Sequence, residues 1–317
     1  MSGFPRPIIV ISKCLGFAAC RYDGEMIPFP LVGSMRAYID FIDVCPECEI
    51  GLGVPREPIS IILGDKKRLI QSATGLDLTD KMEAFARSYL GNLDDFDGFI
   101  LKSKSPSCGI GTSKVFPDNG TDEYLHQNEN GFFAEAVLRD YPDLPVIDEK
   151  QIGNSLLRDH FLTRIFTMAS FRETSSSTKM HSLVEYHTKN KLLFMAYDKQ
   201  IMNVMGNIVA NKEDLPIEVV YEKYLSLLWQ ILSKPAETGN VVNALMHAFG
   251  YFSRNISVRE KFIFMKKLQE YREDNSSVFE LKKWFISKAE EFNTDYLLMQ
   301  TFFSPYPQEL SGSLQIV

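Results

Sequence analysis

The sequence predicts an α/β protein in two parts: a Rossmann-like domain with a mainly parallel sheet, followed by an all-α helical bundle domain. In the first 150 residues short apolar runs alternate with helical patterns, which is typical of strands joined by crossover helices. From residue 151 onward the apolar spacing is helical throughout. All five cysteines lie within the first 108 of the 317 residues. We therefore place the two domains at residues 1–150 and 151–317.

Short apolar runs mark the strands expected in the first domain. They lie at residues 7–11, 41–44, 59–63, 68–71, 98–102 and about 145–148. The third and fourth runs flank the turn-forming residues 64–67, which predicts a hairpin. One helix is expected to begin after a capping Thr79, and another is expected at about 131–141.

Seven helices are expected in the second domain. They lie near residues 153–171, 178–197, 199–210, 217–234, 237–253, 257–273 and 277–302. Two of these begin with a capping box, in which a serine and a glutamate three residues later satisfy each other's free backbone N–H groups. The pairs are Ser257 with Glu260 and Ser277 with Glu280.

Composition excludes several classes of protein. With 45% hydrophobic and 24% charged residues, the chain is not predominantly disordered. No run approaches the ~18–20 apolar residues of a membrane helix, and the N-terminus has no signal-peptide pattern, so we expect a cytoplasmic protein without membrane partners. The net charge of −7 argues against indiscriminate nucleic-acid binding, yet it allows one local basic face.

Three cysteines follow predicted strands. Cys14 and Cys45 come directly after apolar runs, and Cys108 lies in the loop after a third run. Because the carboxyl ends of parallel strands share one edge of a sheet, these thiols are expected to meet there. An odd number of cysteines in a cytosolic chain argues against a disulfide framework and for metal binding or chemistry.

The number of thiolate ligands separates the possible metal sites. Four thiolates, with Cys48 as the fourth, would close a structural zinc site. Three thiolates on a [4Fe–4S] cluster would leave one iron open as a Lewis acid. Spacing alone leaves both alternatives open, together with plain packing of the cysteines in the core.

At these residues the sequence resembles a known family. The segments 12–15, 20–24, 45–47, 51–56 and 104–109 read SKCL, CRYDG, CPE, GLGVPR and KSPSCG. In this order they resemble the thiouracil desulfidases, [4Fe–4S] enzymes that replace the sulfur of a thiolated pyrimidine with oxygen. The remainder, including residues 185–191, 208–211 and 304–307, is similar to the helical domain of RNA 4-thiouridine desulfidases.

The resemblance implies a cofactor, ligands and a substrate. It implies a [4Fe–4S] cluster bound by Cys14, Cys45 and Cys108, with one iron not bound by the protein. It also implies a tRNA substrate whose 4-thiouridine becomes uridine with release of sulfide. Cys48 stands where the family usually has an aliphatic residue, and we expect it to be a bystander.

Desulfidation needs a group that moves protons between water and the pyrimidine ring. Glu47, two residues after a cysteine, is the best candidate, and the family has a functional carboxylate there. Ser105 is the second catalytic candidate, with ordinary turn chemistry before Pro106 as the alternative. Four residues that border the cysteine loops are candidates for substrate binding: Arg21, Arg56, Lys104 and Ser107. For the cations among them, solvated salt bridges are the alternative.

Basic residues gather near the start of the second domain. The candidates for RNA binding are Lys179, His187, Lys189 and Lys191. On adjacent helices they would make a stripe that attracts RNA phosphates, unless they are a plain solvated helix face. Two further functions remain open at this stage: a desulfidase of free thiouracil or thiouridine nucleotides, and a zinc-stabilised binding protein without enzymatic activity.

Overall fold

The computed structural model describes residues 3–119, 121, 123–273 and 278–311. These residues form two compact units: residues 3–161 together with 309–311, and the described part of Leu162–Gln308. Within the described ranges, no helix is both long enough and apolar enough to cross a membrane.

Among its described residues, the N-terminal unit contains nine strands and four complete α-helices. In chain order they are β1 (Ile8–Ser12), α1 (Pro30–Met35), β2 (Asp40–Val44), α2 (Pro46–Glu49), β3 (Ile59–Leu63), β4 (Lys67–Gln71), β5 (Leu76–Asp77), α3 (Thr79–Gly91), β6 (Gly98–Leu101), β7 (Ser113–Pro117), β8 (His126–Glu129), α4 (Phe132–Asp140) and β9 (Val146–Asp148).

The first sheet confirms the predicted parallel arrangement. Its strand order is β2-β1-β6-β9, and all three pairings are parallel. Because β1 and β6 are buried on both faces, they read as continuous apolar runs in the sequence. The carboxyl ends of all four strands therefore lie along one edge.

A second sheet, with the order β5-β4-β3-β7-β8, has one parallel and three antiparallel pairings. The β3–β4 hairpin is confirmed, but β7 and β8 were not predicted. β8 is entirely polar, and its pairing with β7 overrides its low strand propensity. The predicted capping role of Thr79 is wrong. α3 begins at this residue, and its hydroxyl accepts the Leu69 N–H at 2.9 Å instead.

The helical unit confirms the predicted all-α architecture. Its helices are α5 (Ser155–Ser175, which begins in the first unit), α6 (Met180–Tyr197), α7 (Lys199–Ala210), α8 (Ile217–Ile231), α9 (Thr238–Gly250), α10 (Val258–Arg272), α11 (Val278–Glu291) and α12 (Asp295–Leu298). The core is rich in aromatic rings. Phe171 stacks on Tyr224 at 5.7 Å, and Phe264 stacks on Phe249 at 4.4 Å.

The helix ends correct one prediction and confirm another. The helix expected over 277–302 is two helices, because Asn293 adopts a left-handed conformation with φ of 49° between α11 and α12. The capping box of Ser257 and Glu260 is present at the start of α10. The second expected box includes Ser277, which lies outside the described residues.

Candidate metal centre and its carboxylate

The cysteine loops follow three neighbouring strands of the parallel sheet. Cys14 lies two residues after β1, Cys45 directly follows β2, and Cys108 lies in the loop after β6. Since β2, β1 and β6 are adjacent, these loops leave the same sheet edge side by side. The sequence therefore places these three cysteines at a single location.

The thiols form one group. The Cys20 thiol contacts those of Cys14 and Cys45, and the thiols of Cys45 and Cys48 lie 3.7 and 3.8 Å from the Cys20 carbonyl oxygen. Cys108 lies close enough to Cys45 for a thiolate at one of them to raise the pKa of the other. Cys20, Cys45 and Cys108 are buried, while the other two are half-buried. Cys20, a residue without an assigned role in the sequence analysis, thus sits in the middle of the group.

Mutual contact and burial raise the pKa of four thiols, those of Cys20, Cys45, Cys48 and Cys108. The contact with Cys14, followed by burial, raises the pKa of Cys20 to about 12. Burial raises the pKa of Cys108 to about 12 and that of Cys48 to about 11. Contact with Cys20 and burial also raise the pKa of Cys45. Binding of a cationic metal group by these thiols would therefore release protons.

The donor set fits a thiolate-bound metal group. Sulfur ligands are those that zinc and iron–sulfur clusters use. Among the described residues, however, no three His, Cys, Asp or Glu side chains are arranged to hold a metal ion. The thiols of the three loops at the sheet edge are nevertheless the donor type that a zinc ion or an iron–sulfur cluster would use.

A buried ion pair lies beside the thiols. Glu47 is in α2, two residues after Cys45, and its Oε2 accepts hydrogen bonds from Nη2 and Nε of Arg56 at 2.6 and 2.9 Å. The side chains are 3% exposed for Arg56 and 13% exposed for Glu47. Ser107 Oγ donates to the other carboxylate oxygen, Oε1, at 3.1 Å. The carboxylate orientation is thus fixed from two sides, in a site of low exposure where charged hydrogen bonds are strong.

Arg56 is buried, whereas the sequence also allowed a solvated position. Besides Glu47, its guanidinium donates to the carbonyl oxygens of Cys20 at 3.0 Å and Gly53 at 2.9 Å. A solvated surface salt bridge was the alternative considered from sequence, and the burial of this side chain contradicts it. The guanidinium instead ties the Cys20 loop, the Gly53 turn and the Glu47 carboxylate together.

The Cys108 loop is held by its own serine and by α4. Ser105 Oγ accepts the backbone N–H groups of Ser107 and Cys108 at 3.2 and 3.1 Å. Gly131, just before α4, donates its N–H to the Gly109 carbonyl at 2.8 Å. A Cβ atom on Gly131 would lie 2.5 Å from the Ser107 backbone, so only glycine fits. Gly131 was missed in the sequence because it lies 23 residues beyond the cysteine it supports.

A second missed residue is Glu149, which directly follows β9. Its carboxylate accepts from the backbone N–H and the hydroxyl of Ser103 and from Lys102 Nζ, each at 2.7 Å. Burial acts to raise the pKa of Glu149, but hydrogen bonds from Lys102 and Ser103 outweigh burial and lower it. Glu149 thereby anchors the start of the loop that carries Cys108. Its position at a strand end was the available signal.

The remaining candidates lie further out. Arg21 pairs with Asp23 at 3.0 Å and with Glu25 at 3.4 Å. Lys104 is exposed and adopts a positive φ of 59°. Both are close to the cysteine loops in sequence. Neither is among the donors to the Glu47 carboxylate given above.

The candidate RNA-binding residues of the helical unit separate into two kinds. Lys179, Lys189 and Lys191 are exposed, but Lys189 and Lys191 are two residues apart in α6 and so face in different directions. His187 is half-buried, and its Nδ1 lies 3.0 Å from the Tyr224 hydroxyl. Burial, with a smaller effect of Lys191, lowers the pKa of His187 to about 4. Its ring is therefore neutral at neutral pH and packs within the bundle.

Comparison with known proteins gives two family matches. Residues 9–149 match the family described as 2-thiouracil desulfurase, and residues 191–307 match DUF1722, described as a protein of unknown function. The two matched segments do not overlap, and each covers less than half of the chain.

Individual relatives cover one part of the chain each. Uncharacterized protein YbbK of Bacillus subtilis (strain 168) is 29% identical over 157 residues, which are 47% of this chain and 100% of YbbK. Uncharacterized protein YbgA of Escherichia coli (strain K12) is 28% identical over 116 residues, which are 36% of this chain and 69% of YbgA. The solved structure of the [4Fe-4S]-dependent thiouracil desulfidase TudS is 29% identical, with a TM-score of 0.38, and covers 46% of this chain and 93% of that chain.

Proposed function

We propose that the domain at residues 1–150 is a [4Fe–4S]-dependent desulfidase of thiolated pyrimidines. In the net reaction a thiocarbonyl group and water give a carbonyl group and hydrogen sulfide. Cys14, Cys45 and Cys108 would hold the cluster and leave one iron without a protein ligand. The observation that carries the proposal is the buried Glu47 carboxylate, fixed by Arg56 and Ser107 directly between two of the cysteine segments.

The bound cluster supplies a Lewis-acidic iron with an affinity for sulfur. The protein residues then have to move protons. A carboxylate offers about four hydrogen-bond acceptor sites. Arg56 uses two on Oε2 of Glu47, and Ser107 uses one on Oε1. The remaining site on Oε1 is the one that takes a proton from the attacking water and passes it to the departing sulfur.

We assign Arg56 to positioning rather than substrate binding. All of its nitrogen atoms donate within the protein, and the side chain is 3% exposed. It therefore has no exposed surface to offer a substrate phosphate. Arg21 and Lys104 stay candidates for the substrate. Ser107 is buried and acts through Glu47, while the Ser105 hydroxyl shapes the Cys108 loop.

As substrate we propose 4-thiouridine in tRNA. A free base or nucleotide would leave the 167 residues after residue 150 without a role, since the five cysteines and Glu47 all lie in the first domain. The exposed Lys179, Lys189 and Lys191 provide positive charge in the helical unit. The motif resemblance given above also supports RNA. A desulfidase of free thiopyrimidines and a zinc-stabilised binding protein are the two alternatives.

The carboxylate can be tested by kinetics on anaerobically prepared enzyme. Glu47→Gln should lower kcat for 4-thiouridine about 100-fold or more, because general acid–base groups contribute that much, and should keep the iron content. Arg56→Lys should retain more activity than Arg56→Met. Glu49→Gln, an exposed carboxylate on the same short helix, is the matched control. Turnover by Glu47→Gln within twofold of the control would exclude the proposed role.

The substrate can be tested with the same enzyme. Charge reversal of Lys189 and Lys191 should raise KM for thiolated tRNA and leave turnover of free 4-thiouridine unchanged. Equal losses on both substrates would remove these lysines from RNA binding.

A further inference from the structure

Helix α10 carries an exposed apolar stripe. Val258, Phe262 and Met265 are 83%, 70% and 47% exposed. At 100° per residue, these three positions lie within about 60° of one another around the helix. Single exposed apolar residues are ordinary, but an aligned aromatic and aliphatic set marks a binding surface.

The stripe is separate from the face that α10 buries. Phe264 and Leu268 point into the bundle and are 1% and 2% exposed. Phe264 stacks against Phe249 at 4.4 Å and against Trp284 at 5.3 Å. α10 therefore packs into the core through residues other than Phe262, which is 70% exposed.

Positive charge flanks the stripe. Arg259 and Lys266 lie on one side of Phe262, and both are exposed. Residues 258–268 contain four cations and a single carboxylate. That carboxylate, Glu260, caps the helix and also pairs with Lys288 of α11. Glu270 pairs with Lys266 at 3.8 Å, and Glu273 accepts from Gln269, so acidic groups gather at the far end of the helix.

We infer that the first three turns of α10 are a docking surface for unpaired nucleotides of an RNA. Cations that flank an exposed aromatic ring fit a polyanion whose bases stack, since backbone phosphates pair with the cations while a base lies on the ring. The local charge supports an RNA partner. The chain as a whole has a net charge of −7, whereas residues 258–268 carry four cations and one carboxylate. The inference rests on the proposed function for the class of RNA and adds a place where it binds. The lysines of α6 point in different directions, so they would add separate phosphate contacts to this surface.

Binding of an unmodified tRNA transcript by the full chain tests the inference without desulfidation. Phe262→Ala should raise Kd about tenfold, in line with the loss of one stacked base. Phe262→Trp should bind as tightly as the parent protein, and Phe262→Leu should bind like Phe262→Ala. Val184→Ala removes another exposed apolar side chain, in α6, and should leave Kd unchanged.

Salt dependence provides a second readout. Arg259→Glu with Lys266→Glu should lower the slope of log Kd against log salt by about two, one for each phosphate contact. Lys212→Glu with Lys223→Glu, exposed cations elsewhere in the same unit, is the matched control and should keep the slope. All variants should turn over free 4-thiouridine at the parent rate.

Three outcomes would overturn the inference. The first is that the parent protein does not bind tRNA, or that the α10 variants bind it with a Kd within twofold of the parent value. The second is Phe262-dependent binding to phosphatidylglycerol vesicles with unchanged tRNA binding. The third is a dimer that Phe262→Ala dissociates with unchanged tRNA binding. A protein that binds tRNA through Phe262 but does not turn over 4-thiouridine would keep this inference and lose the proposed function.

Discussion

The two units use their polar residues in opposite ways. In the N-terminal unit, Glu47, Arg56 and Ser107 are enclosed and hydrogen-bonded to one another at the edge of a parallel sheet. In the helical unit the interior is aromatic, and the cations considered above lie outside. A parallel sheet brings distant loops together, so it can build a site from residues nearly a hundred positions apart. An α-helix brings together on its surface residues that are close in sequence, so it is suited to extended binding surfaces.

The largest effect on the N-terminal site is expected from removing one thiol at the sheet edge. Cys45→Ser should abolish iron binding and turnover, because two remaining ligands do not hold a cluster. Cys48→Ser should keep both, since we expect Cys48 to be a bystander. Iron analysis and turnover of 4-thiouridine check this. Loss of iron in Cys48→Ser alone would reverse the ligand assignment.

A backbone change should have the next largest effect. Gly131→Ala places a Cβ atom against the Ser107 backbone, so the Cys108 loop has to move. We expect a loss of at least about 2 kcal/mol in the free energy of unfolding of the N-terminal unit, together with reduced iron content. Gly239→Ala in α9, where a Cβ meets open space, is the control. Full iron content in Gly131→Ala would show that the loop does not depend on this contact.

The helical unit should respond to pH through His187. The folded pKa of about 4 lies below the ordinary 6.5, so the unfolded chain binds the proton first as pH falls. The free energy of unfolding should therefore decrease between pH 6.5 and 4, by up to about 3 kcal/mol, and then level off.

Urea unfolding followed by tryptophan fluorescence measures this, because Trp229 and Trp284, the two tryptophans of the chain, both lie in the helical unit. His187→Gln should remove this part of the pH dependence, whereas the exposed His181→Gln should not. Identical pH profiles for the parent and His187→Gln would contradict the buried, neutral ring.

The smallest expected effect is at the capping box of α10. Ser257→Ala removes the side chain that accepts the Glu260 N–H, and should cost about 1 kcal/mol in the same fluorescence assay. Ser233→Ala, a surface serine beyond α8, should change the free energy by less than about 0.5 kcal/mol. A Ser257→Ala effect no larger than that control would mean that the box adds no stability.

Local patterns predicted much of the fold, and contacts between distant segments account for the rest. The buried strands β1 and β6 and the helical periodicity after residue 151 were visible in the sequence because each depends on local residues. β8 was not, since its residues are polar and its strand exists only through pairing with β7. The break at Asn293 was also missed, because a single left-handed residue leaves the apolar period intact.

The candidate site shows the same division. Cys14, Cys45 and Cys108 could be placed together from the strand-end rule alone. The burial of Arg56 against Glu47 could not, because an arginine in a glycine-rich turn is equally compatible with a solvated salt bridge. Gly131 and Glu149 act through contacts with loops far along the chain, which only the folded chain defines.

The central claim is that the thiols at the sheet edge hold an iron–sulfur cluster. Iron, zinc and acid-labile sulfide per chain, measured after strictly anaerobic isolation, test it most directly. We predict about four iron and four sulfide and essentially no zinc. About one zinc per chain with no sulfide would mean that the thiolates close a structural site, and the desulfidase would give way to a zinc-stabilised binding protein.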